Sequence, residues 1–389
     1  MPVPAAVERI RESSGPDATI AHAPGSVELL GEACAATGGM LLATALPAST
    51  AVALEANDTD ELVVISPREE TRLPMPDAVP AGYPHDVTAV AAAVVALQHT
   101  THLIPRTGSG LTVRWATDIP AGRGLGEHAA LQSAIALAAN VRWGDRDDVP
   151  TRARLADALH EVSADHLGRH WPLHPYTVAL RSRPNSVLTC NHADQAVTQT
   201  ERPDNLALMV AYSPDITGAS PLVERHEFFA EACAAFGVPT LHGLPEAQTR
   251  VLDWVRARRE VHPDGDAPTV GRATQWLDDA SGCSDRARAV SAHLRHGDMA
   301  ATMAGVSHDV SVRDTAPPAD SPMGRLVASL DGHDAVARCC PARGAALVVW
   351  AHADDADAIE DAIRADGGDV LRVIDTDAGA TVTESEALA

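Results

Sequence analysis

Two stretches concentrate the residues whose types and spacing could do chemistry. Asp118 to Asn140 reads DIPAGRGLGEHAALQSAIALAAN, with Gly122, Gly124 and Gly126 at alternate positions, Arg123 and Leu125 between them, and Glu127 and His128 directly after. A glycine turn that feeds a helix N-terminus is an anion site in waiting, because unpaired N–H groups and the positive end of the helix dipole point at whatever lies there. Ala23 to Gly39 reads APGSVELLGEACAATGG, in which Gly25, Gly31, Gly38 and Gly39 mark sites where backbone turns tightly or comes close to another group. A weaker constellation is His166, His170 and His174, spaced to share one helical face and reach a metal through imidazole nitrogens. Gly168 and Pro172 interrupt that helix, so no metal ligands are assigned.

The elements that must position these groups follow from pattern. Thr19 to Ala23 reads as a short strand, Pro24-Gly25 as a turn, and Val27, Leu29 and Leu30 as a second apolar segment. Leu111, Val113 and Trp115 alternate as a half-buried strand ahead of the glycine loop, and the Ala- and Leu-rich run from Ala129 to Val141 reads as a helix. Further helices are expected at Val87 to Gln98, Arg152 to His166, Leu222 to Phe236, Arg250 to Glu260, Arg286 to His296 and Asp355 to Ala365. Pro- and Asp-rich stretches at Val261 to Pro268 and Thr315 to Pro322 read as loops, and the tail after Asp377, without periodicity, as frayed.

Composition removes whole classes of function. All 30 basic residues are Arg, so a Walker-A lysine, a Schiff-base lysine and any ε-amine mechanism are excluded. A net charge of -23 argues against a nucleic-acid partner, because phosphate backbones require basic patches. The N-terminus lacks a basic start followed by an apolar core, and no apolar run approaches the ~20 residues of a membrane span, so the expectation is a cytoplasmic protein with no membrane partner. The six cysteines contain no C-x-x-C pair and read as reduced, mostly buried small residues. At 389 residues the chain is long enough for two domains.

Together the two glycine segments resemble the galactokinase branch of the GHMP small-molecule kinases. Those proteins carry APGRVNLIGEHTDYNGG near the N-terminus and P-x-G-x-G-L-S-S-S-A-A before a long helix, against APGSVELLGEACAATGG and PAGRGLGEHAAL here. The resemblance extends to LPASTAVALEANDTDELVVIS as paired strands and to Leu206–Gly237 as a strand followed by an Arg- and Ala-rich helix. It continues to Ser307-His308 with Arg313-Asp314, which match SH-x-SLRDDY. It implies an α+β, two-lobed GHMP kinase fold with a ligand cleft between the lobes, the N-terminal lobe spanning residues 1–190 and the C-terminal lobe 191–389. The implied activity is transfer of the ATP γ-phosphoryl group to galactose, with magnesium and a positioned aspartate.

The side chains that this activity needs are absent at position after position. The family's Arg that helps the transferring phosphoryl group corresponds to Ser26, and of its sugar-holding Glu, His and Asp only Glu32 is kept, with Gly38 retained nearby. The three serines of the phosphate loop Gly122-Arg123-Gly124-Leu125 correspond to Gly126, Glu127 and His128. A carboxylate about 5 Å from a phosphate at an effective dielectric of ~20 repels it by roughly 3 kcal/mol. That is about two decades of affinity. The catalytic aspartate of G-[IG]-M-D-Q-[FYT] aligns with His174 in WPLHPY. In ARCCPARGAAL, which matches AR-M-T-G-G-G-F-G-G-C from Arg338 onward, Pro341, Ala342 and Arg343 replace consecutive glycines ahead of Gly344.

The reading is therefore a galactokinase-like protein that has lost most or all ATP-dependent galactose phosphorylation and binds a small sugar or nucleotide, or a protein partner. ATP and magnesium enter only with residual kinase activity. The first alternative is a weak sugar kinase with Glu32 holding a hydroxyl and His174 as base, since a positioned base is worth about 10² to 10⁴ in rate. The second is a metal- or thiol-responsive binder using His166 to His174 or Cys339-Cys340.

Overall fold

The computed structural model describes residues 3–31, 34–105, 110–144, 146–167, 172–214, 223–262, 265, 267–307, 317, 319–339, 345–373 and 379–382. The chain forms two compact units, residues 1–27, 44–186 and 371–389 in the first and residues 28–43 and 187–370 in the second. Their boundaries fall inside β1 (Thr19–Leu30), β2 (Met40–Asn57), β6 (Ser186–Asn191) and β11 (Asp369–Arg372).

The first unit is built on strands in the order β12-β1-β2-β5-β3-β4, where β3 is Glu61–Ile65, β4 Glu70–Pro74, β5 Gly110–Thr117 and β12 Thr381–Val382. β5 runs antiparallel to β2 and parallel to β3. α1 (Ala5–Ser13) lays Ala6, Val7 and Ile10 on Ala51, Ala53 and Ala116 of the sheet. Asp118 fixes it there, accepting from the Ala6 N–H at 2.8 Å and from Arg9 at 2.8 Å. α2 (His85–His99), α3 (Glu127–Trp143), α4 (Val149–Leu167) and α5 (His174–Arg181) pack on one another. α2 is buried continuously from Val87 to Gln98 and α3 from His128 to Asn140, which fits their Ala-rich sequences: small side chains let helices bury every face.

In the second unit β11 (Asp369–Arg372), β8 (Leu206–Tyr212), β10 (Ala346–His352) and β9 (Ala335–Cys339) form a sheet in that order. Met209, Leu347 and Val349 of its one face close a core with Leu326 of α10 (Pro322–Ala328) and with Ile359 and Ile363 of α11 (Ala356–Ala365). β6 (Ser186–Asn191) and β7 (Ala196–Glu201) pair with each other. A second core lies among α6 (Val223–Phe236), α7 (Ala247–Val261) and α8 (Val270–His296), where Phe228, Phe229, Trp254 and Trp276 meet. α9 (Met299–Ser307) packs against α8. Among the described residues no helix is long and apolar enough to cross a membrane.

Several expectations are corrected. Pro24-Gly25 is no turn, for β1 runs straight through it; pairing with neighbouring strands overrides the local turn preference. The strands on either side of Asn57 are not partners, since β5 inserts between β2 and β3. α8 starts at Val270 rather than Arg286, its first turn capped by the Thr269 hydroxyl accepting from the Arg272 N–H. Pro322 opens α10 instead of closing a loop, the first helical turn being the one place where a missing N–H costs nothing. The chain after Asp377 is not frayed throughout: β12 pairs Thr381 with His22 and Val382 with Ala21. His166 and His174 lie on different helices, α4 and α5, and His170 is outside the described residues. α1, α5, α9 and α10 were not legible as helices.

Candidate functional site

The glycine loop of the first unit is drawn shut by its own chain. Gly122, Gly124 and Gly126 have φ of 71°, 73° and 71°, a left-handed backbone that side chains rarely adopt, and this folds the five residues after Ala121 into a tight cup ahead of α3. Gly126 is the N-cap of α3 and its carbonyl accepts the first helical bond, from the Ala130 N–H at 2.9 Å. The Gly122 N–H, a donor of the cup, gives its hydrogen to the Glu127 carboxylate, at 3.2 Å to Oε1 and 3.0 Å to Oε2. The chain's own carboxylate thus accepts from a main-chain donor of the loop. The negative charge also sits at the first turn of a helix, where the dipole favours it.

The other side of the loop is stitched to β1. The Ser26 N–H donates to the Leu125 carbonyl at 3.0 Å, and Gly25 lies so close that a Cβ there would stand 2.7 Å from the same oxygen. A Cβ on Gly126 would overlap the Ser26 hydroxyl. Ser26 and Gly126, two of the positions where the sequence departs from the family pattern, therefore face each other with no room for a side chain on Gly126. Arg123 and His128 are buried, and the His128 ring stands 4.7 Å from that of exposed His85, tilted by 58°.

His174, the residue aligned with the family's aspartate, is the first residue of α5 and is 7% exposed. Beyond it lies a network that the sequence reading missed. The Gln132 side chain, fully buried on α3, donates to the Ala89 carbonyl at 2.9 Å, and its Oε1 accepts from the Tyr176 hydroxyl at 2.8 Å and the Ser163 hydroxyl at 3.0 Å. It locks α2, α3, α4 and α5 together. A Gln inside an Ala/Leu-rich helix is the one signal that could have flagged it.

The second unit carries the turn that follows β1. Gly38 adopts φ 77°, and a Cβ on it would stand 2.5 Å from the Cβ of His242 and 2.9 Å from the Thr240 hydroxyl. The Leu241 N–H donates to the Ala36 carbonyl at 2.9 Å and the Met40 N–H to the Ser284 hydroxyl at 2.9 Å. Two thiols add their bonds, Cys34 to the Ala280 carbonyl and Cys233 to the Ala36 carbonyl, each at 3.3 Å. Burial pushes the Cys233 thiol up to about 11, so it is held as the neutral donor. Glu32 lies outside the described residues, as do Arg343, Gly344, Cys340 and the pair His308 and Arg313. Arg338 is on β9, opposite Val348 and buried. Among the described residues no three His, Cys, Asp or Glu side chains gather as a metal site.

A family profile described as the galactokinase galactose-binding signature matches residues 8–56. The galactokinase of Mycobacterium tuberculosis is 28% identical over 251 residues, 62% of this chain and 67% of the relative. Among solved structures, Lactococcus lactis galactokinase complexed with galactose superposes with a TM-score of 0.68 at 13% identity, covering 97% of this chain and 98% of that one. A mevalonate kinase follows with a TM-score of 0.59 at 11% identity, covering 93% and 98%.

Proposed function

We propose that this chain, which belongs to the galactokinase branch of the GHMP small-molecule kinase superfamily and has its two-lobed mixed α/β fold, is a non-catalytic binding protein that has lost ATP-dependent phosphorylation of galactose. The observation that carries the reading is the pair of bonds from the Gly122 N–H to the Glu127 carboxylate. A phosphate oxygen approaching that donor meets a carboxylate already in place, and two like charges a few ångströms apart inside a protein repel by several kcal/mol. The residues present do not fit magnesium-bound ATP. The loop positions that would offer hydroxyls are Gly126, Glu127 and His128, and the one carboxylate among them is turned to the backbone.

The rest of the catalytic set supports the same direction. Ser26 cannot place a guanidinium on a transferring phosphoryl group, and its small size is built into the contact with Gly126. His174 is buried at the head of α5. What is kept is scaffold: the cup, its helix and the clamped turn at Gly38. The partner is a small sugar or nucleotide, or a protein, met in the cytoplasm.

The test is galactose-dependent release of ADP from ATP with magnesium, measured beside the His174→Ala variant. The expected result is no sugar-dependent turnover in either protein. Turnover in the wild type that His174→Ala abolishes would replace this reading with a weak sugar kinase using His174 as base.

A further inference from the structure

We propose that the second unit holds an oxyanion site whose receiving group is the guanidinium of Arg225, taking two oxygens of a carboxylate or phosphate on its Nε–Nη2 edge. Arg225 lies in the first turn of α6 and is 5% exposed. Its Nε and Nη2 are closed to water and, among the described residues, have no hydrogen-bond acceptor. These two nitrogens are neighbours on one side of the guanidinium plane: the Nε–H and one Nη2–H point the same way, at the spacing of two oxygens on one carbon or phosphorus. The orphaned donors are thus the bidentate fork itself, and not two unrelated atoms.

The surroundings hold the fork without satisfying it. Asp279 of α8 stands 3.9 Å from Nη1, the remaining nitrogen, an ion pair beyond hydrogen-bond length. Glu224, next in the chain, is committed to Arg272 at 2.8 Å. The Phe229 ring lies 6.0 Å from the guanidinium carbon, one helical turn along α6, at the outer reach of a cation–π contact. A buried guanidinium with unmade hydrogen bonds is costly, and the group that completes it is one that brings both charge and two acceptors. The first turn of α6 adds the positive end of its dipole.

The position also ties the fork to the turn carried from β1. Asp279 immediately precedes Ala280, whose carbonyl accepts from Cys34. This site lies wholly within the second unit and does not depend on whether the loop of the first unit holds a nucleotide.

The experiment is thermal melting of the whole protein with inorganic phosphate, with galacturonate and with neutral galactose, at an ionic strength held constant with chloride, for wild type, Arg225→Met and Arg225→Lys. Wild type is expected to melt higher with one of the two anions in proportion to occupancy, phosphate or galacturonate naming the source, and Arg225→Met to lose the rise while folding as well without ligand. Arg225→Lys keeps the charge and loses the fork, so its apparent affinity should fall at least about tenfold. Should Arg225→Met not fold, the lysine variant and the wild type decide alone. No rise in wild type with either anion, or a rise of equal size in a folded Arg225 variant, would overturn the site.

Discussion

The glycine loop at 122–126 and the glycine turn at 34–39 are both kept as backbone, but they are held in different ways. In the loop, the decisive contact is one removable carboxylate, Glu127, placed on one donor, Gly122. In the turn, the contacts are close packing and main-chain bonds: Gly38 against Thr240 and His242, Ala36 to Leu241, Met40 to Ser284. The first arrangement is chemistry turned inward, and a side-chain change can reverse it. The second is architecture, and a side-chain change can only damage it. On the proposed reading, a protein loses a phosphate site by filling it while retaining the fold that formed it.

The sharpest way to break this contrast is at Gly38. Gly38→Ala must carry a Cβ at positive φ into the Cβ of His242, and it is expected to destabilise the protein by roughly 2–5 kcal/mol, read as a lower midpoint in urea. Next in size is Gln132→Leu, which removes the buried acceptor shared by the Tyr176 and Ser163 hydroxyls. A loss of about 2–3 kcal/mol is expected, and the same midpoint measurement checks it. Tyr176→Phe removes one of these bonds and should cost about 1 kcal/mol. Glu127→Ser should be milder for stability, on the order of 1 kcal/mol, because the donor it abandons is only part-buried and water can replace the carboxylate. If Glu127→Ser proved as damaging as Gly38→Ala, the loop would be architecture too.

Cys233 supplies a pH test of the turn. Its thiol is raised from 9.0 to about 11 by burial, so the folded state holds the proton more tightly than the unfolded chain. The stability this gives is fully present below pH 9 and is lost as pH rises from about 9 to 11. Cys233→Ser should flatten that part of the stability profile. In the native protein Cys233 should react with thiol reagents at pH 8 far more slowly than an unhindered cysteine.

Much of the framework was readable because it rests on local rules. The strand Leu111 to Trp115, three alternating glycines and an Ala/Leu run could be little other than strand, turn and helix, and β5, the cup and α3 follow that order. What was not readable depends on partners far away in the chain. β12 exists because Thr381 and Val382 find the edge of β1, and Pro24-Gly25 stays extended because β1 pairs with neighbouring strands of its sheet. Glu127 was legible as a charge, yet its direction was not: sequence predicts repulsion of phosphate, and only the closed cup shows the carboxylate accepting from Gly122. The Gln132 network and the unmatched edge of Arg225 are likewise properties of packing, carried by residues whose types are ordinary on helices.

The central claim, that the loop's own carboxylate stands where a nucleotide phosphate would be received, is tested most directly by calorimetric titration of wild type and Glu127→Ser with ATP and magnesium. The account predicts no measurable binding by wild type and a gain on removal of the carboxylate, up to about two decades in affinity at the expected repulsion. Tight binding of ATP by wild type, unchanged in Glu127→Ser, would contradict it.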